Sequence, residues 1–195
     1  MFVYNSQNRY ATHIPNANFW TAQYWTPVYT NPSDIVSQPV QDQILDQLQT
    51  QLLTITTANS FNTDIGEVNK GTRSPENIRK WPAINILVGP ETYFNPTANE
   101  AGRLMKTMTV VLDVYMKGKK TRQEKLSDLI ADIELCLYDD TVANERYNLS
   151  GKCLVMQPVQ TLPFELESSD NMYGFEHEFM IKYRQKRSDP TTLYN

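Results

Sequence analysis

"NMYGFEHEFMIKYRQKRSDP", residues 171–190, alternates from end to end. Tyr173, Phe175, His177, Phe179, Ile181 and Tyr183 fall on one parity, and Glu176, Glu178, Lys182 and Arg184 on the other. Side chains of a strand point to opposite faces with period two, so the stretch reads as a strand with one aromatic, apolar face and one solvated face. His177 belongs to the aromatic side, away from Glu176 and Glu178, and the three cannot converge on a metal. A helical zinc pair would want two histidines four apart, and the other histidine of the chain is His13. His177 is therefore expected to be a half-buried strand residue whose ring is satisfied by a hydrogen bond.

A second alternating run, Met105 to Met116, puts Met108, Val110, Leu112, Val114 and Met116 on one face and mostly polar residues on the other, and is long enough to be central. "WPAINILVG", residues 81–89, reads as a further strand with Pro82 at its start. A short strand is expected from Thr63 to Val68, followed by a polar exposed loop, "NKGTRSPENIRK". Two helices are expected. One starts at Pro39 and carries Val40, Ile44, Leu45, Leu48 and Leu52 at helical spacing; the other, "TRQEKLSDLIADIELCLYDD", opens with a Thr121/Glu124 capping box and carries a stripe of Leu126, Leu129, Ile130, Ile133 and Leu137. "KCLVMQ" reads as a strand, and "PVQTLPFELESSDN" as an irregular, proline-interrupted stretch. Strands that run consecutively rather than alternating with helices predict an α+β fold: a mostly antiparallel β-sheet with two helices packed on one face, plus an extended N-terminal arm.

That arm is residues 1–38. Eight aromatics (Phe2, Tyr4, Tyr10, Phe19, Trp20, Tyr24, Trp25 and Tyr29) accompany only two charged residues, Arg9 and Asp34, and prolines break any periodicity. The segment is too aromatic for a solvated linker and too irregular for its own core, so it should order by packing on its own domain or on a neighbouring subunit. The organisation expected is an arm at 1–38, an α+β domain at 39–190 and a short tail at 191–195.

A net charge of -4 over 195 residues argues against nucleic-acid binding driven by overall charge. The start of the chain has neither the basic, apolar and small-residue pattern of a signal peptide nor an apolar run long enough to span a membrane, which predicts a soluble protein made in a reducing cytoplasm. Cys136 and Cys153 are too few for a disulfide framework or a four-ligand metal site and are expected to be small buried hydrophobes. Seven dispersed glycines supply no phosphate loop and no nucleophile elbow. The pairs Asp139-Asp140 and Glu165/Glu167 read as solvated surface, and nothing positions Ser168, Ser169 and Asp170 against His177 as a triad. No catalytic residue, metal or cofactor is expected. The one charge feature is "KGKKTRQEK", where Lys117, Lys119, Lys120, Arg122 and Lys125 gather in the turn before the second helix; such a run is usually solvated, and otherwise would face a polyanion without reading its sequence, with Arg184, Lys186 and Arg187 able to join it.

Taken together, "WPAINILVGPETY", "RLMKTMTVVLDVYMKG", "KLSDLIADIELCLYDD" and "FEHEFMIKYRQKRSDP", in this order after a leading helix, resemble the tail-terminator, or tail-completion, proteins of long-tailed bacteriophages, the group of the lambda-type terminator. The resemblance covers roughly residues 39–190, and the aromatic arm is an addition to the pattern. It implies a structural virion protein, not an enzyme, that forms a ring, usually a hexamer, at the head-proximal end of the tail tube. Its partners would be copies of itself, the tail tube protein and the head–tail connector or neck proteins, with DNA only a passing, non-specific contact and no membrane. Another ring of the neck, a different assembly module that uses the arm, and an enzyme built from scattered residues stand as alternatives. On the ring reading, Trp20, Tyr24 and Trp25 are the expected subunit or partner anchors, and Lys117, Lys119, Lys120 and Arg122 face the lumen or an adjacent subunit.

Overall fold

The computed structural model describes residues 38–94, 102–118, 122–138, 148–165 and 171–193. Its elements run α1 (Val40–Leu52), β1 (Glu67–Lys70), β2 (Ala83–Phe94), β3 (Arg103–Lys117), α2 (Arg122–Tyr138), β4 (Val155–Glu165), β5 (Met172–Lys186) and β6 (Asp189–Leu193). The sheet order is β1-β2-β3-β5-β4, with β6 pairing back onto β5. Only β1 and β2 are parallel; the other pairs are antiparallel. The class is the α+β architecture that the sequence predicts.

The two alternating stretches pair with each other. Residues of β3 and β5 match one to one from Arg103↔Lys186 to Lys117↔Met172, so their apolar parities lie on the same face. Cross-strand rows then run Ile84, Val114 and Phe175, and Ile86, Leu112 and His177. All six are buried, under α1 and α2, in one core with Ile44, Leu48 and Leu52 of the first helix and Leu129, Ile133 and Leu137 of the second. Burying a large aliphatic or aromatic side chain is worth about 1.5–3 kcal/mol, so this face dominates the stability of the domain. Cys136 and Cys153 are buried, as expected, and burial pushes the Cys153 thiol up to about 12, which leaves it an inert, protonated hydrophobe.

Polar clasps join the layers. Asp132 of α2 is buried and accepts hydrogen bonds from the backbone N–H and side chain of both Asn62 and Thr63, at 2.6–3.0 Å, which ties the loop before β1 to the helix. Gln51 of α1 donates to the Cys136 carbonyl at 2.6 Å. On the opposite face, Asn85 of β2 donates to the Arg73 carbonyl at 2.9 Å, so the loop between β1 and β2 folds over that side of the sheet.

Several boundaries differ from the expectation. β1 is four residues, Glu67–Lys70, rather than Thr63 to Val68, because Asn62 and Thr63 are held by Asp132 instead of by a strand. Cys153 precedes β4 rather than lying in it. The stretch read as irregular, 158–165, is most of β4: an edge strand tolerates Pro158 and Pro163, whose missing N–H groups cost nothing on the side without a neighbour, and the register shifts between Pro158 and Gln160. β2 likewise continues past Gly89 and Pro90 through a register shift between Val88 and Glu91. β6 has no counterpart in the sequence reading.

Candidate interaction surfaces

His177 is 1% exposed, more buried than predicted, and its ring is satisfied twice. The Tyr138 hydroxyl from α2 lies 2.8 Å from Nε2, and the Thr161 hydroxyl from β4 lies 2.8 Å from Nδ1. Burial lowers its pKa, so the neutral ring bridges helix, central strand and edge strand. Glu176 and Glu178 point to the other face, and among the described residues no group of three His, Cys, Asp or Glu could hold a metal. The residue has a structural role.

The basic turn is seen only at its start. Lys117 ends β3, exposed, with Nζ 6.0 Å from the Trp81 ring centroid, within the range of a cation–π contact. Lys119 and Lys120 lie outside the described residues, as do Trp20, Tyr24 and Trp25; Arg122 opens α2, but its side chain also lies outside them. The expected grouping of the four basic residues is thus neither assembled nor dispersed. What the structure adds is a second basic element at the same end of the sheet. Arg73 reaches Asn69 at 3.0 Å and Glu67 at 3.5 Å, whereas exposed Arg79 and Lys80 have no partner among the described residues. Thr72, Arg73, Ser74, Glu76, Asn77 and Arg79 line an open, polar cleft of about 440 Å3. Sequence reading placed these residues in a polar, exposed loop; the signal that could have found them is the four cations against one acid in "KGTRSPENIRK".

The other side of the sheet carries a local group of acids towards the start of β5, with Lys182, Arg184 and Lys186 further along the same strand face. Asp113, Glu176 and the residues around them share the face opposite the helices, with Asp113 directly across from Glu176. Burial and the neighbouring Glu176 carboxylate raise the Asp113 pKa against the pull of the Tyr115 hydroxyl, which donates to it at 2.5 Å. Glu178 accepts from Gln160 of β4 at 2.7 Å. On the edge strand, Leu162 lies across from Glu176 and Val155 across from Lys182, and Val155, Val159 and Leu162 are 41, 48 and 48% exposed. A hydrophobic run on an open edge is unusual for a surface that meets only water.

The far end of the sheet is a closed polar cluster. Tyr183 donates to Glu91, Lys106 lies 3.1 Å from the same carboxylate, and its ammonium stands 5.0 Å from the Tyr93 ring centroid. Burial alone would raise Glu91, but the Tyr183 and Lys106 contacts outweigh it and the net shift is downward. The cluster pins β2, β3 and β5 together at that end.

None of these arrangements positions a nucleophile, a base and an oxyanion donor together; they are surfaces suited to docking. No described helix is long and apolar enough to cross a membrane. Comparison with known proteins gives the family. The family model for the bacteriophage tail tube terminator protein matches residues 36–175. The tail tube terminator protein of Escherichia phage T5 is 33% identical over 91 residues, 46% of this chain and 53% of that protein, so the matched region spans about half the length of the curated relative. With a match across most of its length, from α1 through β4 to the first residues of β5, the chain belongs to the bacteriophage tail tube terminator family.

Proposed function

We propose that copies of this chain form a closed ring, a hexamer by the resemblance to the lambda-type group, on the head-proximal end of a phage tail tube. There the ring stops addition of tube subunits and presents a surface to the connector or neck proteins. The observation that carries this reading is the family match over residues 36–175. It is supported by a sheet whose two edges among the described residues differ in character, the short β1 and the long β4, because a cyclic ring uses two distinct patches on every subunit. Tube growth is ended by steric occupation, which needs no catalytic group. The protein would then reside in the virion tail after assembly in the host cytoplasm, with DNA passing through without sequence-specific contact.

In this reading the domain from residue 39 to 190 is the ring subunit, the arm at 1–38 reaches a neighbour through Trp20, Tyr24 and Trp25, and the turn of Lys117, Lys119, Lys120 and Arg122 faces the lumen or an adjacent copy. Electron microscopy of particles made without the protein tests the function. Tubes of uncontrolled length that fail to join heads are expected. Tails of normal length, joined to heads, would overturn it.

A further inference from the structure

We infer that neighbouring copies meet laterally, the basic loop beside β1 of one copy against the acidic, apolar β5–β4 edge of the next. This rests on the ring reading above and assigns its two faces. The sheet order places β1 and β4 at opposite edges, the disposition that a head-to-tail contact requires. Charge changes sign between them. At one edge Arg79 and Lys80 stand without partners among the described residues, with Arg73 lining the same cleft and half-buried Trp81 next in sequence. Towards the other, exposed Glu176 and half-exposed Glu178 flank Leu162 and Gln160 of β4, while Lys182 lies across from Val155 at the start of that strand, so the acidic stretch is the part of the edge from Gln160 to Glu165.

The chemistry within each edge is also matched. Arginine and tryptophan are residue types that anchor interfaces, and exposed Val159 and Leu162 offer apolar area that such an anchor covers. Backbone pairing of edge to edge is a poor alternative: β1 has four residues, and Pro158 and Pro163 remove two donors from β4. The contact is therefore made by side chains, with the charges setting register and direction rather than most of the affinity.

A head-to-tail interface allows a mixing test. Arg79→Glu with Lys80→Glu makes both edges of one variant acidic; Glu176→Lys with Glu178→Lys makes both edges of the other basic. The full chain and each variant are studied by sedimentation velocity and native mass spectrometry, alone and with purified tail tubes, after circular dichroism confirms folding. The expected result is a closed multimer for the wild type, self-association at least roughly tenfold weaker for each variant alone, and recovery when the two are mixed, in alternating order. If the wild type assembles and both variants assemble equally well, or if the mixture does not recover, this assignment falls while the ring stands. A wild type that forms no multimer, alone or on tubes, removes the ring and the assignment with it.

Discussion

His177 and Asp113 sit on opposite faces of paired strands, and their protonation acts on stability with opposite sign. The imidazole pKa is lowered by burial, so the neutral ring is favoured in the fold. Its contribution is complete above the ordinary value of 6.5 and is lost as the pH falls from there towards the folded-state pKa. His177→Gln keeps one of the two hydroxyl contacts and should cost about 1–2 kcal/mol at neutral pH, while flattening the loss of stability below pH 6.5; zinc content should be unchanged by elemental analysis. Asp113 behaves in the reverse sense. Its pKa is raised by burial and by Glu176, so the folded state is penalised where the carboxylate is charged and relieved as the pH falls through the raised value. Asp113→Asn removes the carboxylate repulsion and still offers an acceptor to Tyr115. Thermal melts should show the variant more stable than the wild type at pH 7, with the gap closing in acid.

At the level of elements, the close approach near the start of β5 is the most sensitive point. Gly174 pairs with Tyr115 on one side and Phe164 on the other, and those two rings meet edge to face, 5.6 Å between centroids. A Cβ on Gly174 would stand 1.8 Å from the Val114 carbonyl oxygen, a clash with backbone that no rotamer relieves. Gly174→Ala should therefore destabilise by about 3 kcal/mol or more, at the top of the range for overpacking, measured by chemical denaturation. The sequence made β3, β5 and both helices legible because each buries one face, and burial enforces a period of two or 3.6. It concealed the rest for identifiable reasons. β4 buries only Met156 fully and carries apolar residues on its exposed side, so no alternation marks it. β6 is a five-residue strand whose Asp189 is occupied with Thr191 and Thr192, a turn-like pattern. Asp132 looks like any polar helix position, and its fourfold use depends on a loop some 70 positions away.

Across the whole molecule, what the sequence conveyed about function was the order of its elements, and what it hid was the charge across the sheet. "KGKKTRQEK" stands out because its cations are contiguous; the basic edge is built from Arg73, Arg79 and Lys80, which only the turn of the chain after β1 collects. Replacing Lys117, Lys119 and Lys120 together with Glu should leave the melting temperature of the monomer nearly unchanged, because exposed charges contribute about 0–1 kcal/mol each, and should lower assembly or infectious yield. Salt-resistant, sequence-selective DNA binding by the isolated protein would contradict that placement. Deletion of residues 1–36 should preserve cooperative unfolding and weaken assembly; loss of the unfolding transition would show that the aromatic segment is part of the core.

The one-to-one pairing of β3 with β5 also fixes when the protein can fold during its own synthesis. β5 lies between β3 and β4 in space but follows both in sequence, and Gln43 of the first helix donates to the Thr191 carbonyl, 148 positions later. While the ribosome is still translating residues before 172, β3 and β4 have no common partner, and β3 has only β2 paired with it in the sheet. Closing such distant contacts is entropically slow, and the open strands are exposed to mispairing until it happens. A nascent chain arrested at residue 170 should remain protease-sensitive, and protection should arrive in one step once residue 186 has cleared the exit tunnel.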